Sequence, residues 1–265
     1  MRVEFALAQA IGERENQEDS CAVVADGSVT DSAETPFAAG SARSAFFGVM
    51  CDGMGGHASG EVAARLAVSA VVESVLAAPA EAGAVVHLLR DGCARANEDI
   101  AATAKAHPQT DGMGTTLVAI GLENGALHWI SVGDSHLLLL RKGQLTKLNE
   151  DHSMRPAIDR MVAEGIISQD EASSHPDRNA LRSVLMGEPV SLIDTGFGGW
   201  PLQAGDTIIL ASDGIDVLDV GEIKRAFEGR RPKTMEATAR HLVERACAAG
   251  GARQDNTSVI VVRVQ

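Results

Sequence analysis

The sequence predicts an α+β protein built on an antiparallel β-sandwich with helices packed against it. Three observations point there. Short apolar runs at 45–51, 126–132, 207–212 and 257–264 are bounded by Gly, Asp and Asn, as strands are. Glu123-Asn124-Gly125 and Lys142-Gly143 each join two such runs as hairpin turns. The helical stretches 59–78 and 84–106 follow one another instead of alternating with strands, and a parallel sheet requires a crossover helix between its strands.

Taken in order, 3–9 alternates apolar and polar residues like an edge or half-buried strand, and 20–25 continues in that style. The stretch 26–44, rich in Gly, Ser, Ala and Thr with Pro36, has no periodicity and reads as a surface loop. The run 45–51 is a buried strand that stops at Asp52. EVAARLAVSAVVESVL then repeats apolar residues at helical spacing, with Ser59 or Gly60 available as N-cap. A break at 79–83 separates it from the second helix. Runs 115–122, 126–132, 136–141 and 144–148 are expected to pair as one antiparallel meander. The polar segment 151–177 carries two short helices, in MVAEGIIS and QDEASSHPDR, and is the natural flap. Strands at 191–197 and 207–212, helices at 221–227 and 234–249, and a last strand at 257–264 complete the chain, without internal repeat.

At 265 residues the chain suits one large domain, and a domain of that size buries roughly 70–75% of its unfolded surface. With 3% aromatic residues and no Tyr, the interior falls to Ala, Val and Leu. A formal charge of −13 and a pI near 5.0 argue against nucleic acid and against an anionic membrane surface, both of which are bound through Lys and Arg. No apolar stretch approaches the roughly 18–20 residues of a membrane span. MRVEFALAQAIGEREN lacks the pattern of a secretory signal, so a cytoplasmic protein is expected. Cys21, Cys51, Cys93 and Cys247 form no CxxC and read as reduced core residues. The Asn256-Thr257-Ser258 sequon has no meaning without secretion.

An aspartate punctuates each of four apolar runs: Asp52-Gly53, Asp213-Gly214, Gly133-Asp134-Ser135 and Gln254-Asp255-Asn256. A lone Asp-Gly is an ordinary turn, and Gly53-x-Gly55-x-x-Ala58 loosely matches a dinucleotide fingerprint. Recurrence favours a different reading, a carboxylate cluster for hard cations. Glu18 and Asp19 add two more such ligands, and Arg14, on the same connecting segment, is a phosphate-shaped donor.

With RENQED at 14–19, DGMGGHASGE at 52–61, GMGTT at 112–116, VGDSHLLLLRKGQL at 132–145, EDHS at 150–153, ASDG at 211–214 and QDN at 254–256, the chain resembles the metal-dependent type 2C Ser/Thr protein phosphatases, bacterial branch. The resemblance implies a four-layer αββα sandwich, with a flap over 151–187 near the active site. It also implies a pair of Mn²⁺ or Mg²⁺ ions, with a weaker third, and a water shared by both metals that attacks phosphoserine or phosphothreonine without a covalent intermediate. On matching positions, Asp52 would bridge the ions and the Gly53 carbonyl would bind one. Asp213 and Asp255 would complete the other, and Glu18 and Asp19 would hold metal-bound waters. Arg14 resembles the phosphate clamp, and Asp134 resembles the position that helps hold the third ion.

The partners implied are phosphorylated proteins, targets of a bacterial-type Ser/Thr kinase, with the phosphatase expected to act as a monomer. Departures from the pattern are Met54, where many members place a His that protonates the leaving alcohol, Gln17 for Asn, and His136 for Arg. His57 lies three residues beyond Met54. The alternative function is a catalytically inactive binding or sensing module on the same fold. Degenerate members lose ligands, whereas Asp52, Asp213 and Asp255 are all present here.

Overall fold

A computed structural model describes residues 1–55, 59–77, 84–228 and 234–265. His57 and the expected helix break at 79–83 lie outside the described residues. In chain order the elements are β1 (Val3–Ala10), β2 (Asp19–Ala25), β3 (Ser28–Asp31), β4 (Phe37–Ala42), β5 (Phe46–Met54), α1 (Ser59–Ala77) and α2 (Val85–Ala106). There follow β6 (Gly114–Thr115), β7 (Leu117–Glu123), β8 (Ala126–Val132), β9 (His136–Arg141), β10 (Gln144–Lys147), α3 (Arg155–Ala163) and α4 (Gln169–Ser173). The rest are β11 (Asp194–Thr195), β12 (Trp200–Pro201), β13 (Thr207–Ala211), α5 (Val220–Phe227), α6 (Met235–Gly250) and β14 (Thr257–Val264).

The strands form two antiparallel sheets. One has the order β10-β9-β13-β14-β1-β4; the other runs β11-β8-β7-β5-β2-β3, with β12 on β8 and β6 on β5. Side chains alternate between the two faces of each strand, and here both faces are covered. From β5, Phe46 and Met50 enter the core between the sheets, while Phe47, Val49 and Cys51 join Ala63, Ala67, Leu89 and Ala96 beneath α1 and α2. From β14, Ile260 and Val262 face inward and Val259 and Val261 pack under α6. Strands covered on both sides carry continuous apolar runs, which is why 45–51 and 257–264 show no polar alternation. The result is the four-layer αββα sandwich.

Alanine makes the layers close. Ala63, Ala64, Ala67 and Ala70 of α1 are fully buried, and Gly92 of α2 lies so near α1 that a Cβ there would stand 3.1 Å from the Val71 Cα. Both predicted hairpins are present. Asn124 (φ 51°) with Gly125 (φ 77°), and Lys142 (φ 51°) with Gly143 (φ 78°), supply the paired positive φ angles that match strand twist.

Four expectations are corrected. The run 3–9 is no edge: β1 lies between β14 and β4 and is buried on both faces. The stretch 26–44 is not a loop throughout, because β3 pairs with β2, and β4 pairs with β1. Its Ala, Gly and Ser residues carry no periodic signal, and the neighbouring strands supply the order. The meander is broken: β7–β8 and β9–β10 lie in different sheets, and the chain crosses between them at Gly133-Asp134-Ser135. Of the expected strand 191–197, only Asp194–Thr195 pairs, with β8.

Candidate active site

That crossing and the ends of β2, β5, β13 and β14 meet at one rim of the sandwich. Arg14, Glu18, Asp52, Gly53, Asp134, Asp213 and Asp255 together line a single cavity of about 410 Å³. Asp19 lies beneath it, directly across the strand pair from Asp52. Every sequence-predicted site residue is therefore brought together. A cavity of similar volume elsewhere, walled by Met1, Val3, Arg43, Phe46 and Leu122, offers no cluster of buried carboxylates.

Backbone contacts explain why these short motifs sit where they do. The Asp52 amide donates to Thr116 Oγ1 (2.9 Å), and the Asp52 carbonyl accepts from the Thr116 amide and Thr115 Oγ1 (both 2.9 Å). The GMGTT threonines thus clamp the main chain of the central aspartate and leave its carboxylate to the cavity. Gly53 donates to the Glu18 carbonyl at 3.1 Å. A Cβ on Gly53 would lie 2.1 Å from the Gly60 carbonyl oxygen, so the first turn of α1 meets the end of β5 backbone to backbone.

In QDN, the outer residues are structural. Gln254 Nε2 donates to the Gly214 carbonyl (2.9 Å) and to Thr257 Oγ1 (2.7 Å), tying the Asp213 turn to the start of β14. Asn256 accepts from the Glu18 amide (2.7 Å) and donates to the carbonyls of Ile11 (2.8 Å) and Asn16 (3.0 Å), which pins the segment bearing Arg14 and Glu18. It is 4% exposed, and the sequon is a buried clamp. His152 of EDHS accepts the Gly133 amide on Nδ1 (3.2 Å), and its own amide donates to the Gly133 carbonyl (3.0 Å), holding the crossing that presents Asp134.

Asp19 Oδ2 accepts from the Ser212 hydroxyl at 2.7 Å, while its buried Oδ1 has no partner. A buried carboxylate oxygen left unsatisfied marks a place where a water or cation belongs. Asp52 is raised well above the usual carboxylate value, first by burial and then by the charges of Asp19, Asp213, Asp134 and Asp255. Burial likewise raises Asp19 and Asp213, each with neighbouring carboxylates adding to it. It pushes Asp134 up to about 6. Glu18 is also raised by burial, against the opposing charge of Arg14.

Among the described residues, no three acidic, imidazole or thiol side chains converge tightly enough to chelate one ion unaided. The donors are instead spread around the cavity and are all oxygen. That arrangement fits hard divalent cations whose shells are completed by a backbone carbonyl and by water, as these ions commonly are.

Sequence reasoning missed Arg155, at the start of α3. Its guanidinium pairs with Asp216, its Nη2 stands 4.0 Å from Asp213 Oδ2, and its Nε donates to Asn179 Oδ1 (3.1 Å). Its only signal was its place in the segment expected to form a flap. His136, one of the departures, bonds Asp216 Oδ1 through Nε2 (2.7 Å) and Lys147 Nζ through Nδ1 (2.9 Å). Burial opposes ionisation of Asp216, but His136 and Arg155 outweigh it and hold the group at about 2. Arg14 Nη2 lies 2.5 Å from Asp255 Oδ2 at the cavity mouth. Met54 is 41% exposed on the cavity wall, with no titratable group to offer.

A pH dependence follows for the metal-free protein. Asp134 and Asp19, raised to about 6 and about 7, contribute stability that is complete below their unfolded value of 3.8 and is lost as pH rises through about 6 to 7, and the raised Asp52 and Asp213 act in the same direction. His152, lowered from 6.5 by burial, works in the opposite direction, but it is one group against five raised carboxylates. Carboxylates held low, such as Asp216, lose their contribution only at more acid pH. In chelator, the melting temperature is expected to be higher at about pH 5 than at about pH 7.5, and saturating Mn²⁺ at the higher pH should raise it. A melting temperature that falls on this acidification contradicts the mutual repulsion described.

Residues 31–250 match the sequence profile of the family described as protein phosphatase 2C. The serine/threonine protein phosphatase PstP of Mycobacterium tuberculosis is 35% identical over 216 residues, covering 81% of this chain and 40% of that protein. The serine/threonine phosphatase stp of Listeria monocytogenes is 32% identical over 217 residues, 81% of this chain and 82% of that one. The chain thus matches less than half the length of the mycobacterial relative. Among solved structures, M. tuberculosis PstP/Ppp superposes with a TM-score of 0.78 at 31% identity, covering 100% of both chains. The catalytic domain of PstP in complex with two manganese ions gives 0.76 at 30% identity, again over 100% of both.

Proposed function

The chain belongs to the protein phosphatase 2C family, and on that premise we propose that it is a metal-dependent protein serine/threonine phosphatase, hydrolysing phosphoserine and phosphothreonine by direct attack of water. The observation that carries the reading is the meeting of Asp52, Asp134, Asp213 and Asp255, far apart in the chain, around one cavity with Arg14 at its mouth. Residues 1–265 act as one catalytic domain, with 151–187 as its flap.

Asp52 would stand between two cations, with the Gly53 carbonyl on one and Asp213 and Asp255 on the other. Glu18 and Asp19 would hold their waters, and Asp134 would face a weaker third. When bound, the two ions supply Lewis-acid stabilisation of the phosphoryl oxygens and a water acidic enough to act as nucleophile near neutral pH. Mn²⁺ and Mg²⁺ both suit the oxygen donors.

The chain's own residues do the rest. Arg14 exchanges Asp255 for the substrate phosphate, whose paired oxygens match its planar fork. Thr115 and Thr116 keep Asp52 in place. Met54 has no proton to give, so the leaving alkoxide takes its proton from solvent, at a cost in rate of the order a general acid confers, ~10²–10⁴. A cysteine nucleophile is disfavoured. Cys51 adjoins Asp52 in sequence, but strand alternation turns it into the helix-facing core. Burial raises its thiol well above the ordinary value and pushes Cys21 and Cys93 up to about 12.

Phosphoproteins of a bacterial-type Ser/Thr kinase are the proposed substrates, met by a monomer in the cytoplasm. No helix among the described residues is long and apolar enough to cross a membrane. Phosphate release from a phosphothreonine peptide tests the reading. It should require Mn²⁺ or Mg²⁺, stop in EDTA and return when Mn²⁺ is restored; turnover that survives exhaustive chelation defeats it. A chain that binds Mn²⁺ and phosphopeptide without turnover is the inactive module instead.

A further inference from the structure

A second groove, of about 520 Å³, opens beside the catalytic cavity and shares Asn179, Asp213 and Asp255 with it. Its remaining walls bring together Arg155, Arg178 and Arg253. Three arginines stand beside three aspartates on this groove, in a chain with 36 acidic and 23 basic residues. Their partners divide them. Arg155 is committed to Asp216, which His136 also holds. Arg178, carried on the flap, pairs at 2.9 Å with Asp159, a carboxylate whose side chain is 56% exposed. An ion pair open to water is weak and readily exchanged. Arg253, on the turn Gly251–Arg253 just before Gln254, is exposed, and its side chain has no ion pair among the described residues. With Asp216 paired to Arg155 and His136, Asp255 paired to Arg14 and, on the phosphatase reading, Asp213 and Asp255 turned to cations in the catalytic cavity, Arg178 and Arg253 are the charges left to the groove.

We propose that this groove is an anion subsite, in which Arg178 and Arg253 select substrates carrying a second anionic side chain close to the phosphorylated residue. The proposal rests on the phosphatase reading for the position of the scissile phosphate. Its physical basis is separate. The net charge of −13 repels acidic peptides at long range, and a local pair of guanidinium groups, each suited to a carboxylate or phosphoryl group, offsets that repulsion where the peptide leaves the catalytic cavity. The subsite therefore favours acidic phosphopeptides over neutral ones and loses that preference as salt rises.

Two phosphothreonine peptides test it, identical except that one carries Asp and the other Ala at the positions flanking the phosphothreonine, together with their non-hydrolysable phosphonate forms. Affinity of the phosphonates in Mn²⁺ is read by fluorescence anisotropy, and kcat and KM are read on the phosphopeptides. The wild-type chain should bind the acidic phosphonate roughly five- to tenfold more tightly, the scale of one or two exposed charge pairs. Arg253→Glu should bring the ratio to one or below, mainly through KM, and Arg253→Lys should retain part of it. Equal affinities in the wild-type chain, or an undiminished ratio in Arg253→Glu, overturn the subsite. Selective phosphonate binding without turnover of either phosphopeptide supports the subsite and counts against the phosphatase reading, so the two failures are separable.

Discussion

Asp52→Asn is expected to abolish phosphatase turnover while making the metal-free protein more stable. The side chain keeps its volume, and the Thr115 and Thr116 bonds hold only the main chain of residue 52, so the fold is undisturbed. What is lost is the charge at the centre of the acidic cluster. Removing a single preorganised electrostatic stabiliser costs about 10²–10³ in kcat. Here the residue would also serve both cations, so a loss of ~10³ or more, with fewer Mn²⁺ bound per chain by calorimetry, is the expected result.

Stability moves the other way. Burial and the charges of Asp19, Asp213, Asp134 and Asp255 all oppose ionisation of Asp52. A neutral amide removes that conflict, and the melting temperature in EDTA should rise by roughly 2–4 °C for each kcal/mol of repulsion relieved in a chain of this size. Stabilising change at a functional site that destroys activity is the expected trade-off. Full activity with full metal content in Asp52→Asn would remove the basis for the proposed site.

Gly53→Ala should be a strongly disruptive single-methyl change beside the cavity. The added Cβ would lie 2.1 Å from the Gly60 oxygen, 2.4 Å from the Gly60 carbonyl carbon and 2.7 Å from the Glu18 oxygen. All are backbone atoms, so no side chain can swing aside; β5, α1 and the Glu18 segment must separate. Overpacking of this kind typically costs about 1–3 kcal/mol, which corresponds to roughly 6–12 °C in melting temperature at the upper end. Since the displaced strand end also presents Asp52, Mn²⁺ affinity should fall with stability. Gly198→Ala, where an added Cβ meets nothing within 4 Å, is the control and should leave both unchanged. Equal melting temperatures for the two variants would show that the helix does not seat on the strand as described.

Local chemistry made much of the molecule readable beforehand. Asn124-Gly125 and Lys142-Gly143 announce hairpins because few sequences tolerate two successive positive φ angles. Asp52, Asp134, Asp213 and Asp255 stood out because each breaks or borders an apolar run at a turn. Other parts were silent for equally physical reasons. β4 is Phe-Ala-Ala-Gly-Ser-Ala, without intrinsic strand character, and becomes a strand because β1 offers it a ladder. His152, Asn256 and Gln254 act on distant backbone groups, and nothing in their own neighbourhood reveals which ones.

The sequence by itself determined the α+β class, the hairpins, the oxygen-donor chemistry and the acidic residues around the cavity, since these depend on turn propensity, apolar runs and side-chain type, while the four-layer order was implied by the family resemblance. Only the tertiary structure decided that β8 and β9 part into different sheets, that α1 seats on Gly53, and that Arg155 reaches Asp216 across 61 residues. It likewise placed Arg178 and Arg253 on one groove. These are contacts between segments remote in the chain, and which distant partners meet is set by how the buried layers pack, a property no local pattern encodes.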